Sequence, residues 1–305
     1  MSSTADLHLM SSIRKFAPHT GELLEEVPCT PIPRVPELIK QARAAQELWG
    51  QTDVRRRGEA MVRLSRVVAN RAEEISLAIS AETGKPPYEA LIHEVLPIAD
   101  LARYFGKRVH RILRPKRISL HLFKHRRSYI HYTPRGVVGV IGPWNFPFSL
   151  TFGDVIMALA AGNAVVLKPS EVTPLIALKC RELLQEAGLH PDLMQVAIGY
   201  GDVGAAVVRG GVDMVHFTGS VATGRKIAAA CGELLIPCVL ELGGKDPAVV
   251  LEDADLEHAA KTIVLGAFLN SGQVCASIER VYAVERIYEP LLQRVVALTN
   301  ELRQG

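Results

Sequence analysis

Three loops of this sequence combine polar side chains with glycine or proline, and each follows a short apolar run. Asn145 lies in the segment PWNFP, Lys168 and Glu171 lie in LKPSE, and Ser220 lies in TGSVATG. A glycine- and serine-rich turn that opens a helix presents backbone N–H groups and the positive end of the helix dipole, which suits a pyrophosphate. Lysine and glutamate at a neighbouring strand end are able to bind ribose hydroxyls through charge-assisted hydrogen bonds. The loops therefore indicate a dinucleotide site.

Two further segments carry side chains that could react. Glu241 opens the segment ELGGK, and Cys275 closes the segment GQVC. A carboxylate before two glycines is also typical of a plain strand-end turn. A cysteine after a helix-like stretch (Leu256–Leu269) is more often an apolar core residue than a nucleophile. The two residues taken singly leave both interpretations open.

One tempting motif carries less weight. Residues 199–204 read GYGDVG, which is formally the GxGxxG pattern of dinucleotide-binding loops. No acidic residue follows at a strand end near the offset of about 20 residues that the pattern requires. A plain strand–helix turn is the favoured interpretation.

The sequence around these loops alternates between strand-like and helix-like runs. The predicted strands are Val137–Ile141, Ala164–Leu167, Met194–Ile198 and Met214–Phe217, and the predicted helices between them are Leu150–Ala161, Leu175–Ala187 and Val203–Arg209. Apolar strands that alternate with helices indicate a Rossmann-like α/β fold, a parallel sheet with helices on both faces. Ligands bind beyond the carboxyl ends of such strands, where the three polar loops begin.

The N-terminal third has a different pattern. Residues 1–34 are rich in proline, glycine and threonine and are predicted to form an extended arm. Helical spacing of apolar residues from Val35 to Ala81 predicts two or three helices, and another is predicted over Tyr88–Val109. Residues 107–127 hold a basic run that alternates from Ile118, which predicts an exposed strand. A nucleic-acid partner is disfavoured, because aromatics interleave little and the net charge is only +3.

Composition limits the class of protein further. The 305 residues suffice for two domains, and 48% of them are hydrophobic. The five cysteines contain no CxxC pair, which argues against a zinc ribbon and a secreted disulfide framework. No apolar stretch marks a signal peptide or a membrane span. We therefore expect a cytoplasmic protein with no metal site.

Five motifs together, PWNFP, LKPSE, FTGSVATG, ELGGK and GQVC, resemble the aldehyde dehydrogenase superfamily in type, order and separation. The resemblance runs from the N-terminal arm to the last residue. It implies that Cys275 is the nucleophile, that Asn145 supplies an oxyanion-hole amide, and that Glu241 is the base that activates water. It also assigns cofactor contacts to a set of residues in the three polar loops: Pro143, Trp144, Lys168, Glu171, Gly219, Ser220 and Gly224.

The resemblance also bears on cofactor and substrate. Glu171 should repel a 2′-phosphate, so NAD is the expected cofactor, with NADP as the alternative because Lys168 would attract that phosphate. The substrate is an aldehyde, and aliphatic, aromatic and semialdehyde compounds all stay open. The pattern looks somewhat like that of bacterial succinate-semialdehyde dehydrogenases. Glu241 disfavours the acylating kind of enzyme, in which coenzyme A rather than water takes the acyl group.

The domain organisation expected from the resemblance has three parts. Residues 1–117 and 134–244 form the dinucleotide-binding domain, 118–133 form an oligomerisation strand segment, and 245–305 form the beginning of a catalytic α/β domain. Family members continue well past this point, so the chain is expected to be truncated at its C-terminus. A homo-oligomer is expected for the full-length protein. An inactive fragment that binds dinucleotide, or joins full-length subunits through 118–133, is the alternative to an active enzyme.

Overall fold

A computed structural model describes residues 12–303. The chain divides into two compact units, residues 1–241 and 242–305. The strands are β1 (Ser12–Phe16), β2 (Leu23–Pro28), β3 (Lys116–Ile118), β4 (Ser128–Ile130), β5 (Val137–Ile141), β6 (Ala164–Lys168), β7 (Met194–Val196), β8 (Met214–Gly219), β9 (Cys238–Leu242), β10 (Asp246–Val250) and β11 (Ile278–Ala283). The helices are α1 (Val35–Gln51), α2 (Val54–Asn70), α3 (Ala72–Thr83), α4 (Pro87–Ala90), α5 (Leu96–Ile112), α6 (Ser149–Ala160), α7 (Leu175–Glu186), α8 (Gly201–Arg209), α9 (Val221–Leu234), α10 (Leu256–Phe268) and α11 (Glu285–Asn300).

The first unit is built on a five-stranded sheet in the order β7-β6-β5-β8-β9. β5 pairs in parallel with both β6 and β8, and β6 pairs in parallel with β7. Every residue of β5 and β6 is buried, because these apolar, mostly β-branched runs are covered on both faces. The chain enters the sheet at β5, adds β6 and β7 on one side, and then adds β8 and β9 on the other. The strand order therefore reverses between β5 and β8.

Helices connect the parallel strands and cover the sheet. The right-handed crossover rule places α6 and α7 on one face and α8 and α9 on the other. α2, α3 and α5 add a further layer over α6 and α7, whereas α1 packs against α8 and the strands. α2 and α5 cross at two glycines: a Cβ on Gly58 would lie 2.4 Å from the Gly106 carbonyl oxygen. No larger residue fits that crossing without moving the helices apart.

The predicted α/β class with a parallel sheet is confirmed, and the predicted helices and strands of residues 35–112 and 137–219 are found with small shifts at their ends. Residues 199–204 form a strand–turn–helix connection, with α8 beginning at Gly201. Helix α5 is joined to α4 by a π-helical turn (Leu91–Val95) that the sequence pattern did not indicate. β9 was not anticipated either.

Two sequence predictions were wrong in the N-terminal half. The described part of the predicted arm is a hairpin, because β1 and β2 pair antiparallel with Ile13 opposite Val27; residues 1–11 lie outside the described part. The alternation that begins at Ile118 does not continue as a strand, since β3 ends there and, within residues 12–303, pairs with β4 alone. Residues 119–127 form the loop between β3 and β4.

The second unit contains a parallel pair of strands, β10 and β11, with Ala248 opposite Val281. α10 follows β10, and α11 follows β11 and packs against α10. Five buried apolar residues of this unit form a small cluster: Val250, Ala260, Ile263, Ile287 and Leu291. Within the residues that the structure describes, none of the helices of either unit has the length and apolar character needed to cross a membrane.

Candidate functional site

The polar loops after β5, β6 and β8 start side by side at one edge of the sheet. Ile141 at the end of β5 lies opposite both Lys168 of β6 and Phe217 of β8. The N–H of Gly142 donates to the carbonyl oxygen of Lys168 at 3.0 Å, which fixes the first two loops to each other. The strand order reverses at this point, and ligands of open α/β sheets bind at such a reversal.

The turn after β8 opens helix α9 in the way that an anion site requires. Ser220 is the N-cap, and its Oγ accepts from the N–H of Thr223 at 3.2 Å. A Cβ on Gly219 would lie 2.6 Å from Cζ of the Phe217 ring, so only glycine brings the backbone this close. Gly224 is buried in the first turns of the helix. The free N–H groups expected at a helix start and the dipole of this 14-residue helix fit a pyrophosphate.

The loop after β6 presents a lysine and a glutamate. The Lys168 ammonium lies 3.1 Å from Oε2 of Glu171; the lysine side chain is buried, whereas the glutamate is more than one third exposed. A carboxylate at the surface and an ammonium beneath it are suited to hydroxyl groups of a ribose. Pro143 is partly buried and Trp144 is exposed in the loop after β5. The residues at this edge therefore fit a dinucleotide.

Asn145 is held by its neighbours in the loop after β5. Its side-chain Oδ1 accepts from the N–H of Phe146 at 3.1 Å, and its backbone carbonyl accepts from Nζ of Lys85 at 2.8 Å. The first bond sets the orientation of the side-chain amide, and an amide donates only through its nitrogen. The residue can thus present an N–H group to an oxygen atom of a substrate.

Cys275 lies in an irregular loop of the second unit. Asn270, Ser271 and Gly272, just before it, have φ values of 50°, 57° and 76°. Three successive left-handed residues, two of them not glycine, store backbone strain of the kind that clusters at functional sites. The Cys275 carbonyl accepts from the N–H of Gly244 at 3.3 Å, and the cysteine itself is exposed. This loop displays a thiol to its surroundings.

The other four cysteines are covered to a greater extent. Cys180 and Cys231 are buried, and Cys29 and Cys238 are intermediate. Burial raises the pKa of the Cys180 thiol well above its ordinary range, raises that of Cys231 to about 11, and also raises that of Cys29. Because the thiolate is the nucleophilic form, these three are poor candidates for covalent chemistry.

Glu241 is exposed near the end of β9, at the last position of the first unit. Glu241 is the fourth residue of β9, the strand next to β8 in the sheet. Residues 12–303 contain no group of three or more histidine, cysteine, aspartate or glutamate side chains arranged to hold a metal ion.

Sequence reasoning missed two charged residues next to this site. Lys85 and Glu94 form a buried ion pair with Nζ and Oε1 2.6 Å apart. Neither residue type is expected in a core, and nothing in their spacing of nine positions marks them as partners. The unusual feature in sequence is only the turn Thr83–Gly84, after which Lys85 follows directly.

Comparisons with known proteins agree with the motifs. The model of the aldehyde dehydrogenase family matches residues 7–305. The chain is 36% identical over 298 residues to a 4,4′-diapolycopene aldehyde oxidase of Methylomonas sp, covering 97% of the chain and 56% of that protein. It is 42% identical over 267 residues to a protein of Mycolicibacterium smegmatis named as a putative succinate-semialdehyde dehydrogenase [NADP(+)], covering 88% of the chain and 51% of that protein.

Solved structures give the same result. The NAD+ complex of an aldehyde dehydrogenase from Bacillus cereus superposes with a TM-score of 0.91 at 32% identity, over 96% of this chain and 60% of that one. The chain spans about half the length of the curated relatives it matches.

Proposed function

This chain belongs to the aldehyde dehydrogenase family, and we propose that it provides the nucleophile, the base and the dinucleotide site for oxidation of an aldehyde to a carboxylic acid. In the balanced reaction, the aldehyde, NAD(P)+ and water give the acid, NAD(P)H and a proton. The observation that carries the proposal is the exposed thiol of Cys275 at the end of a strained loop. No other cysteine of the described chain is exposed.

The first step is addition of the Cys275 thiolate to the aldehyde carbonyl. A C–S bond forms, and the carbonyl π electrons move to the oxygen, which becomes the oxyanion of a thiohemiacetal. In its proposed role, Nδ2 of Asn145 donates a hydrogen bond to this oxyanion. One such donor is typically worth about 3 kcal/mol in the transition state. When the oxyanion collapses, the carbon loses a hydride and a thioester on Cys275 is left.

A nicotinamide dinucleotide bound to this chain would supply the hydride acceptor. Residues of the first unit would hold it: the N–H groups at the start of α9 would bind the pyrophosphate, and Lys168 and Glu171 would bind the adenosine ribose. Glu171 is exposed enough to meet a ribose hydroxyl and would repel a 2′-phosphate, which favours NAD. Lys168 is the residue that would attract the phosphate of NADP, the cofactor in the name of the Mycolicibacterium smegmatis relative.

Release of the acid needs a water molecule and a base. The Glu241 carboxylate takes a proton from water, and the water oxygen attacks the thioester carbon. The C–S bond breaks, and the electron pair returns to sulfur as the Cys275 thiolate. Glu241 has no such role if coenzyme A resolves the thioester, so its presence favours hydrolysis over acyl transfer. Addition of coenzyme A should therefore leave the rate of NADH formation unchanged and give no acyl-coenzyme A.

We also propose that the hairpin of β3 and β4 joins subunits of an oligomer. Ile118, Leu122, Phe123 and Ile130 are exposed apolar side chains in and between its strands. Exposed apolar clusters of this kind mark association surfaces. Substitution of Leu122 and Phe123 by serine should shift the elution of the protein on size exclusion to that of a monomer. An unchanged elution volume would remove the hairpin from this role.

The experiment that tests the proposed reaction is NAD(P)H formation by the purified chain with a panel of aldehydes. The panel includes succinate semialdehyde, an aromatic aldehyde and a long apolar aldehyde, since the named relatives differ in this respect. Turnover should disappear in Cys275→Ala and persist in Cys238→Ala, a matched change at a partly covered thiol. Turnover that survives in Cys275→Ala would overturn the mechanism.

A further inference from the structure

We propose that Lys85 and Glu94 are positioning residues that hold the Asn145 loop in the geometry required to bind the substrate oxyanion. The inference rests on the proposed role of Asn145 and assigns to this site two residues that do not touch substrate. It depends on a chain of contacts from the ion pair to both ends of the loop.

Lys85 fixes the front of the loop. Its Nζ lies 2.6 Å from Oε1 of Glu94 and donates to the Asn145 carbonyl at 2.8 Å. It also lies 4.2 Å from the centre of the Phe146 ring, over its face. Only 3% of the lysine side chain and 0% of the glutamate side chain are exposed. The ammonium therefore interacts with a carboxylate, a carbonyl and an aromatic ring, and the ion pair itself is shielded from water.

Glu94 fixes the end of the loop. Its second oxygen, Oε2, accepts from the backbone N–H groups of Phe148 at 2.8 Å and Ser149 at 3.2 Å. These are the first N–H groups of α6, which lack partners within the helix. One carboxylate thus binds both the lysine that holds Asn145 and the helix that follows the loop. The backbone from 145 to 149 is clamped at its two ends by a single ion pair.

The local backbone is shaped to bring the two charges together. Lys85 follows Gly84, whose φ of 79° ends α3 in a left-handed turn that other residues rarely adopt. Glu94 lies within the π-helical turn Leu91–Val95, between α4 and α5. The extra residue of a π turn rotates the preceding helical positions by about 100° relative to those that follow. Such turns are frequent at functional sites, and this one contains the carboxylate that clamps the loop.

A purely structural role is the competing explanation, because removal of either partner leaves a buried charge and destabilises the fold. The chain offers a matched control for that effect. Glu82 is also buried, and its two oxygens accept from the first N–H groups of α7, Leu175 at 2.7 Å and Ile176 at 2.9 Å. Glu82→Gln makes the same chemical change as Glu94→Gln at a different helix.

The first measurement is hydrogen exchange followed by mass spectrometry on the full chain. Lys85→Met and Glu94→Gln should accelerate exchange of the peptide covering 145–149 by about tenfold or more, and leave the peptide covering 175–180 unchanged. Glu82→Gln should accelerate exchange of the peptide covering 175–180 and leave the peptide covering 145–149 unchanged. This readout does not depend on catalytic activity. Equal acceleration of both peptides, or none at 145–149, would overturn the inference.

The second measurement is the single-turnover rate of hydride transfer at saturating cofactor and aldehyde. Asn145→Ala should slow it by about 100-fold or more. Lys85→Met should slow it by about 10- to 100-fold with less than a twofold change in cofactor Kd. The double variant with Lys85→Met and Asn145→Ala should be at most about twofold slower than Asn145→Ala alone, because Lys85 acts through Asn145. Glu82→Gln should stay within twofold of the parent.

The outcomes separate the two levels of the proposal. If Asn145→Ala retains the full rate, the proposed role of Asn145 fails, and exchange at 145–149 shows whether the clamp exists without it. If Asn145→Ala slows hydride transfer and Lys85→Met does not, the positioning role of Lys85 is contradicted while the proposed mechanism stands. Effects that multiply in the double variant would make Lys85 a general stability residue and overturn the inference.

Discussion

The reactivity of single thiols follows from their exposure. Cys275 is exposed, whereas burial raises the pKa of Cys180 and Cys231 and keeps them in the unreactive thiol form. Iodoacetamide at mildly alkaline pH should therefore modify Cys275 first, as read by peptide mass spectrometry. Cys180 and Cys231 should react only after the chain is unfolded in denaturant. First modification at Cys180 or Cys231 would contradict this account of the loop.

The backbone of the proposed pyrophosphate turn depends on one glycine. A Cβ at Gly219 would lie 2.6 Å from the Phe217 ring, so Gly219→Ala must displace the ring or the turn. We expect a loss of about 1–3 kcal/mol in the free energy of unfolding and a cofactor Kd raised by about tenfold, since a shifted turn misplaces its N–H groups. Denaturant titration and fluorescence titration with the dinucleotide measure the two effects.

The control for this variant lies in the helix that follows the turn. A Cβ on Gly232 in α9 would meet no atom within 4 Å. Gly232→Ala should leave the cofactor Kd unchanged and raise the free energy of unfolding by about 0.5–1 kcal/mol, because alanine is the better helix former. Equal cofactor Kd values and equal free energies of unfolding for the two variants would contradict the effect expected from the contact with Phe217.

Among the elements, helix α7 is tied to the N-terminal helices by a titratable group. Burial raises the pKa of Glu82 from its ordinary value of 4.5 to about 7, although the two backbone N–H groups of α7 act in the opposite direction. The folded state thus holds this proton more tightly than the unfolded state. The contribution of Glu82 to the free energy of unfolding is fully present below pH 4.5 and is lost as the pH rises through about 7.

The test compares the parent with Glu82→Gln across pH. The free energy of unfolding of the parent minus that of Glu82→Gln should fall by on the order of 3 kcal/mol between pH 4.5 and 7.5. Urea titrations at several pH values provide the measurement. A difference that does not vary with pH would mean that Glu82 does not titrate in this range.

The elements that could be predicted from the sequence are those set by local pattern. β5 and β6 are continuous apolar runs that end at glycine or lysine, and their bounds were predicted to within one residue. The hairpin of β1 and β2, and the early end of β3, depend on which strands find partners. The choice of partner and the length of the pairing leave no periodic signal in either segment. The π turn at 91–95 likewise has no signature in its composition.

Some residues of the candidate site follow from the local sequence pattern, and others are revealed only by the fold. Strand order places Asn145, Lys168 and Ser220 at one edge of the sheet, and the rule for parallel sheets predicts this from alternation alone. Lys85 and Glu94 were missed, because lysine and glutamate are almost always exposed unless paired. Only the fold reveals that these two charges meet inside it.

The whole molecule consists of units with unequal cores. The sheet of the first unit has strands buried on both faces, whereas the second unit has two strands and one small buried cluster. Val249 and Leu265 of the second unit are 68% and 65% exposed. Two-stranded sheets with so little burial are marginally stable. The relatives are about twice as long, so much of their sequence has no counterpart in this chain.

Limited proteolysis should report this difference. Cleavage within 242–303 is expected before any cleavage within 137–219, because local opening follows the lowest density of buried contacts. Mass spectrometry of the early fragments identifies the sites. The bound dinucleotide should slow later cleavage of the first unit, since a ligand stabilises the state that binds it. First cuts within 137–219 would contradict this ranking of the units.

The central claim is that the aldehyde carbon becomes bonded to the sulfur of Cys275. The most direct measurement is mass spectrometry of Glu241→Gln after acid quench in the presence of aldehyde and dinucleotide, since loss of the base should let the thioester accumulate. The account predicts one acyl group per chain, on the peptide that contains Cys275, together with one equivalent of reduced cofactor. Reduced cofactor without an acyl group on that peptide, or an acyl group on another cysteine, would contradict it.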